Sequence, residues 1–84
     1  MGTSVTDMAT NTDTSRGIAR TVSAALTAAG IAQRDAAART GIPLSTLSRR
    51  LTGNSPFLVT ELELLAGLVG VTVSDLITAA QDAA

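Results

Sequence analysis

From Thr14 onward the apolar residues recur every three to four positions, whereas residues 1–13 mix Thr, Ser, Asp and Asn with no sustained period. That change predicts a flexible N-terminal arm over 1–13 and a helical domain over 14–84. Ile18, Val22, Leu26 and Ala29 share one face of a first helix, which Gly30 is placed to stop. Good helix formers from Ala32 to Thr40 make a second helix, in which Ala36 and Ala37 offer a narrow face for close approach by another element. Gly41 breaks it. Leu44, Leu47 and Leu51 then set out a third helix, from Leu44 to about Thr52, closed by the turn residues Gly53-Asn54-Ser55-Pro56.

The second half is more apolar. Leu58, Leu62, Leu65, Ala66 and Val69 form the widest stripe in the chain, and Thr60 with Glu63 has the spacing of a capping box at its start. Gly70 ends this fourth helix. Thr72 and Asp75 repeat the capping pattern before a fifth amphipathic helix carrying Val73, Leu76, Ile77 and Ala80. Leu62, Leu65, Ala66, Val71 and Leu76 are the expected core of an all-α, five-helix domain with short loops.

Composition narrows the class. A chain of 84 residues supports one modest core. Phe57 is the only aromatic residue, so that core is built from Leu, Val, Ile and Ala. With no Cys there is neither a disulfide frame nor a thiolate metal site, which fits a cytoplasmic setting, and no cofactor is implied. The longest apolar run, Leu64 to Val71, falls well short of the roughly 20 residues of a membrane helix. The chain also lacks His, Lys and Tyr, which removes most usual nucleophiles and general bases and argues against an enzyme with a small-molecule substrate. Glu61 and Glu63 do not restore one, because residues two apart on a helix point to different faces.

The net charge of −1 is unpromising for a nucleic-acid partner until its distribution is considered. Asp7 and Asp13 make residues 1–13 negative by two. Six Arg against Asp35 alone give residues 14–55 a charge of +5, and Glu61, Glu63, Asp75 and Asp82 give residues 56–84 a charge of −4. Such asymmetry implies one cationic binding surface and one surface turned away from it. The cations are all Arg, whose planar fork suits phosphate and guanine, although a GC-rich genome produces the same bias.

Two short helices joined at a glycine are the outline of a helix-turn-helix. The run Ile31-Ala32-Gln33-Arg34-Asp35-Ala36-Ala37-Ala38-Arg39-Thr40-Gly41-Ile42-Pro43-Leu44-Ser45-Thr46-Leu47-Ser48-Arg49-Arg50-Leu51-Thr52-Gly53 makes the signal specific, continued by Ser55-Pro56-Phe57 and by Leu62, Leu65-Ala66, Leu68 and Gly70-Val71. It resembles the Cro and phage-repressor (XRE) helix-turn-helix family over roughly residues 16–78. The resemblance implies a compact lambda-repressor-like DNA-binding domain whose third helix lies in the major groove of a double-stranded operator, with a homodimer on a pseudo-palindromic site. It assigns base contacts to Leu44, Ser45 and Arg49, and backbone contacts to Gln33, Arg50 and the turn residues Asn54 and Ser55. Side-chain chemistry agrees: Arg49 can hold guanine O6 and N7, Leu44 can meet a thymine methyl, and Ser45 can donate or accept. Arg34 and Arg39 would add affinity without reading sequence.

The chain departs from the family at three points. Ala32 and Pro43 stand where Ser or Thr usually cap helices two and three, at about 1 kcal/mol for each missing cap, while Pro43 partly compensates through its fixed φ. Leu44 is apolar where polar readers are usual. Other readings of the same residues stay open: Leu44 spaces with Leu47 and Leu51 as a core stripe, Arg49 and Arg50 can form a solvated face, and Gln33 can be an ordinary surface residue. The whole fold can also serve as a protein-interaction module, an antitoxin or anti-regulator that holds its partner through the acidic C-terminal helices.

Overall fold

The computed structural model describes residues 3–82, with side chains from Thr14 to Asp82. Its elements follow in the order α1 (Thr3–Ala28), α2 (Gln33–Thr40), α3 (Leu44–Leu51), α4 (Val59–Val69) and α5 (Val73–Asp82). The helical backbone of α1 begins eleven residues before Thr14, where the sequence pattern places the start. The physical reason is that no Gly or Pro interrupts the chain between Thr3 and Arg16. The backbone therefore propagates through polar residues of poor apolar periodicity.

α1 buries Ala19, Val22 and Leu26 and runs alongside α5. At Gly17 the two helices approach closely: a Cβ there would stand 3.6 Å from the carbonyl oxygen of Ala80. α2 contributes Ala36 and Ala37, α3 contributes Leu47 and Leu51, α4 contributes Leu62, Leu65 and Ala66, and α5 contributes Leu76, so every helix puts side chains into one core. α4 and α5 meet at 94° across Gly70. No single described helix is long and apolar enough to cross a membrane.

The core is narrower than the apolar pattern suggests. Val71, expected inside, is 38% exposed, and Leu58 is 56% exposed. Ala29 is also exposed. Each sits at a helix end: Leu58 is the residue before α4, Val71 follows the C-cap Gly70, and Ala29 follows α1. There the chain turns away from the core before the stripe has finished. Conversely, Ile42 is buried in the turn between α2 and α3, where a lone apolar residue between Gly41 and Pro43 has no period to announce it.

The capping at α5 matches the sequence pattern. Asp75 N–H donates to Thr72 Oγ1 at 3.0 Å, and Thr72 N–H donates to Asp75 Oδ2 at 3.1 Å. At α4 the pattern misplaces the cap. The residue that precedes the helix is Leu58, not Thr60, and its N–H donates to Glu61 Oε1 at 2.9 Å. Leu58 has no side-chain acceptor, so only the carboxylate half of the reciprocal pair exists.

Candidate nucleic-acid interface

The turn between α2 and α3 is set by local chemistry. Gly41 takes φ +79, a left-handed conformation that side chains resist, and its N–H donates to Ala37 O at 2.9 Å. Thr40 Oγ1 donates to Ala36 O at 2.7 Å and accepts from Ile42 N–H at 3.3 Å, so one hydroxyl stitches the end of α2 to the turn. Pro43, at φ −57 and ψ 140, then starts α3 without a side-chain cap, and Ala32 starts α2 in the same way.

α3 is held from one side. Leu47 is fully buried and Leu51 nearly so, while Leu44, Ser45 and Arg49 are exposed. Leu44 lies in line with Leu51 by helical spacing, yet it is 41% exposed. Helical side chains lean toward the N-terminus, so at the first position of α3 this one leans off the end of the helix, beyond the neighbours that cover the others. All three expected base readers are exposed: Ser45 and Arg49 share one side of α3, while Leu44 stands at its first turn about 140° round from Arg49, with half-buried Ser48 between Leu44 and Ser45.

Arg49 and Arg50 are adjacent in sequence and differ in their surroundings. Arg49 is exposed and forms no ion pair among the described residues. Arg50 turns inward: its Nε donates to Glu61 Oε1 at 2.9 Å and its Nη2 to Glu61 Oε2 at 3.3 Å, with side chains 17% and 12% exposed. The two-point grip ties the last turn of α3 to the first turn of α4. Burial pushes the Glu61 carboxyl up, but the Arg50 hydrogen bond, the Leu58 amide and the Arg50 charge together outweigh it and hold the group below the ordinary glutamate value.

The remaining expected backbone contacts are less uniform. Gln33, Arg34 and Arg39 are all exposed on α2. Arg34 and Arg39 are five residues apart, which sets them about 140° apart around the helix. They flank its open side rather than sharing one line. Asn54 is exposed and Ser55 half-buried. The Asn54 N–H is already engaged with Arg49 O at 3.1 Å, which leaves its side chain as the group free to meet a ligand.

One cation near this face lies outside the sequence-based set. Arg16 of α1 lies against Gly53, directly after α3, and is itself exposed. Its neighbour Arg20 stands one helical turn on. A signal existed in the chain, since Arg16 and Arg20 sit at i, i+4 spacing on the flank of α1 away from Ile18, but only the fold shows which helix that flank meets.

The matches to known proteins bear on the same segment. Residues 22–76 match the helix-turn-helix family model. No curated protein and no solved structure gives a match. The matched span runs from the middle of α1 into α5 and includes the whole turn-linked pair α2–α3, over more than half of the chain. With five helices, an outward-facing α3 and that match, the chain belongs to the helix-turn-helix family of DNA-binding regulators of the Cro and phage-repressor (XRE) type.

Proposed function

We propose that the chain is a sequence-specific, Cro-like transcriptional repressor that reads a double-stranded operator by inserting α3 into the major groove. The observation that carries this reading is the split of α3 between buried Leu47 and Leu51 and exposed Leu44, Ser45 and Arg49. A short helix gripped from behind and bare in front fits the groove, and those three side chains supply an apolar contact for thymine, a hydroxyl, and a fork for guanine. Gln33, Arg34, Arg39, Asn54 and Ser55 position the domain on the phosphates. In this reading Arg50 acts as a strut through Glu61 and leaves the phosphate role to its neighbours, because its guanidinium is already engaged at two points.

Selection of bound sites from a random duplex library, followed by titration of the selected duplex at several salt concentrations, tests the proposal. The expected result is one recurrent site, palindromic if two copies bind half-sites a helical turn apart. Arg49→Ala should cost about 1–3 kcal/mol of discrimination at one base pair, whereas Arg34→Ala should weaken all duplexes alike and flatten the salt slope. Library output with no recurrent site would overturn sequence-specific reading.

A second reading, a protein-interaction module on the same fold, draws on Leu58, Val59 and Leu64, which are 56%, 65% and 49% exposed on or beside α4. Exposed aliphatic side chains in the acidic half are the feature a protein partner would use. Failure of heparin and of random duplex to retain the protein at low salt, together with a stoichiometric protein complex, would favour it.

A further inference from the structure

The contact between Arg16 and Gly53 extends the proposed interface onto α1, and the inference rests on the DNA-binding reading above. Gly53 adopts φ +82. A Cβ built there would come 3.2 Å from Arg16 Cγ, 3.7 Å from its Cα and 3.9 Å from its Cβ. The Arg16 stem thus lies within van der Waals reach of position 53, so α1 passes beside the turn that ends α3. Glycine is favoured there by the left-handed backbone.

A long cationic side chain normally loses much rotamer freedom when it binds a ligand. Here the stem is already laid against Gly53 of the turn, while the residue as a whole remains exposed. The competing use for a cation at this place is to serve the C-terminal carbonyls of α3. Those carbonyls are largely served from within: Arg49 O accepts from Asn54 N–H and Thr52 Oγ1, Arg50 O from Gly53 N–H, and Ser48 O from Thr52 N–H. The α3 carbonyls therefore have little need of the Arg16 charge, and an exposed side chain is free to offer it to an external anion.

We propose that Arg16, held by its stem against Gly53, is a phosphate-contacting residue that carries the DNA footprint from the helix-turn-helix onto α1. The ligand is a phosphodiester of the strand that passes the C-terminal end of α3. The contact is sequence-independent, because a guanidinium on a phosphodiester meets the backbone and no base edge.

The test uses the full chain and two duplexes, the selected site and a random sequence of equal length, with affinity measured by fluorescence anisotropy across a salt series. Arg16→Gln keeps most of the stem and removes the charge. It should weaken binding several-fold on both duplexes and reduce the slope of log affinity against log salt by about 0.9, the value of one phosphate contact. Arg16→Lys should restore the slope. The melting temperature of each variant is recorded in parallel. An unchanged slope in Arg16→Gln, or a loss confined to the melting temperature, overturns the inference and returns Arg16 to a structural role on α3. If the wild-type chain binds neither duplex, the DNA-binding reading fails first and this one with it, an outcome visible without any variant.

Discussion

The two halves of the domain start their helices differently. α2 and α3 are eight residues each, and neither N-cap, Ala32 or Pro43, supplies a side-chain hydrogen bond. α4 and α5 each begin with a carboxylate on a backbone amide, Glu61 on Leu58 and Asp75 on Thr72. Isolated helices this short are marginal in water. The half that carries the candidate interface is therefore the less self-sufficient one, and its order is imposed by the half that faces away. The connections that do this are the packing of α2 on α4, with Ala36 and Ala37 in the core, the entry of Leu47 and Leu51 into the same core, and the grip of Arg50 on Glu61. In the proposed reading, affinity and stability fall on different residues of the same helix.

The strongest way to break that division is to cut the core connection. Leu47→Ala should cost roughly 2–5 kcal/mol, a large share of what a domain of this size possesses, and should leave much of the chain unfolded at 37 °C by circular dichroism. Leu44→Ala, three residues away, should cost under about 1 kcal/mol, the scale of a partly exposed substitution, and should act mainly on duplex binding. Equal destabilisation by the two would mean that α3 has no free face.

Cutting the grip of Arg50 on Glu61 comes next. Glu61→Ala removes the Arg50 partner and the Leu58 amide acceptor together, and should cost about 3 kcal/mol as a largely buried pair broken from one side. The pair also has a pH signature. Since the folded carboxyl is held below its ordinary value, the stabilisation is fully present above the unfolded glutamate pKa of about 4.3 and is lost as pH falls through the lower folded value. Urea unfolding at pH 7 and pH 3 should therefore show a smaller acid loss in Glu61→Gln than in the wild type. An identical acid loss in both would remove Glu61 from the account.

These pairings also mark where the sequence was legible. The five helices and their glycine stops could be read from apolar period and turn chemistry, because both are local: Gly41 and Gly70 do end α2 and α4. The outward set on α3 came from the family resemblance, since spacing alone put Leu44 in line with the core. What stayed hidden was tertiary. Thr60 and Glu63 have the spacing of a capping box, but the carboxylate recruited is Glu61, which is also the one that meets Arg50 eleven residues earlier in the chain. The pairing of Arg50 was hidden for the same reason, as no local pattern announces a partner on another helix. The i, i+4 pair Arg16 and Arg20 was legible, but not the element it meets, since that depends on a glycine 37 positions away.

The smallest effects sharpen the comparison at the caps themselves. Ala32 has φ −71 and ψ 154, the extended geometry an N-cap uses, and it is exposed, so a hydroxyl can be added without disturbing the backbone. Ala32→Ser should stabilise the domain by about 1 kcal/mol through a new bond to the first turn of α2. Thr72→Ala should destabilise it by a similar amount, since it removes the acceptor that now takes the Asp75 amide at 3.0 Å. The two changes are chemically inverse, one serine-type cap gained in the front half and one lost in the back. Opposite shifts of a few degrees in melting temperature would show that the uncapped starts of α2 and α3 are a real deficit which α4 and α5 offset. If Ala32→Ser leaves stability unchanged, the first turn of α2 is already satisfied by solvent, and the dependence of the front half on the back rests on the shared core and the Arg50 pair.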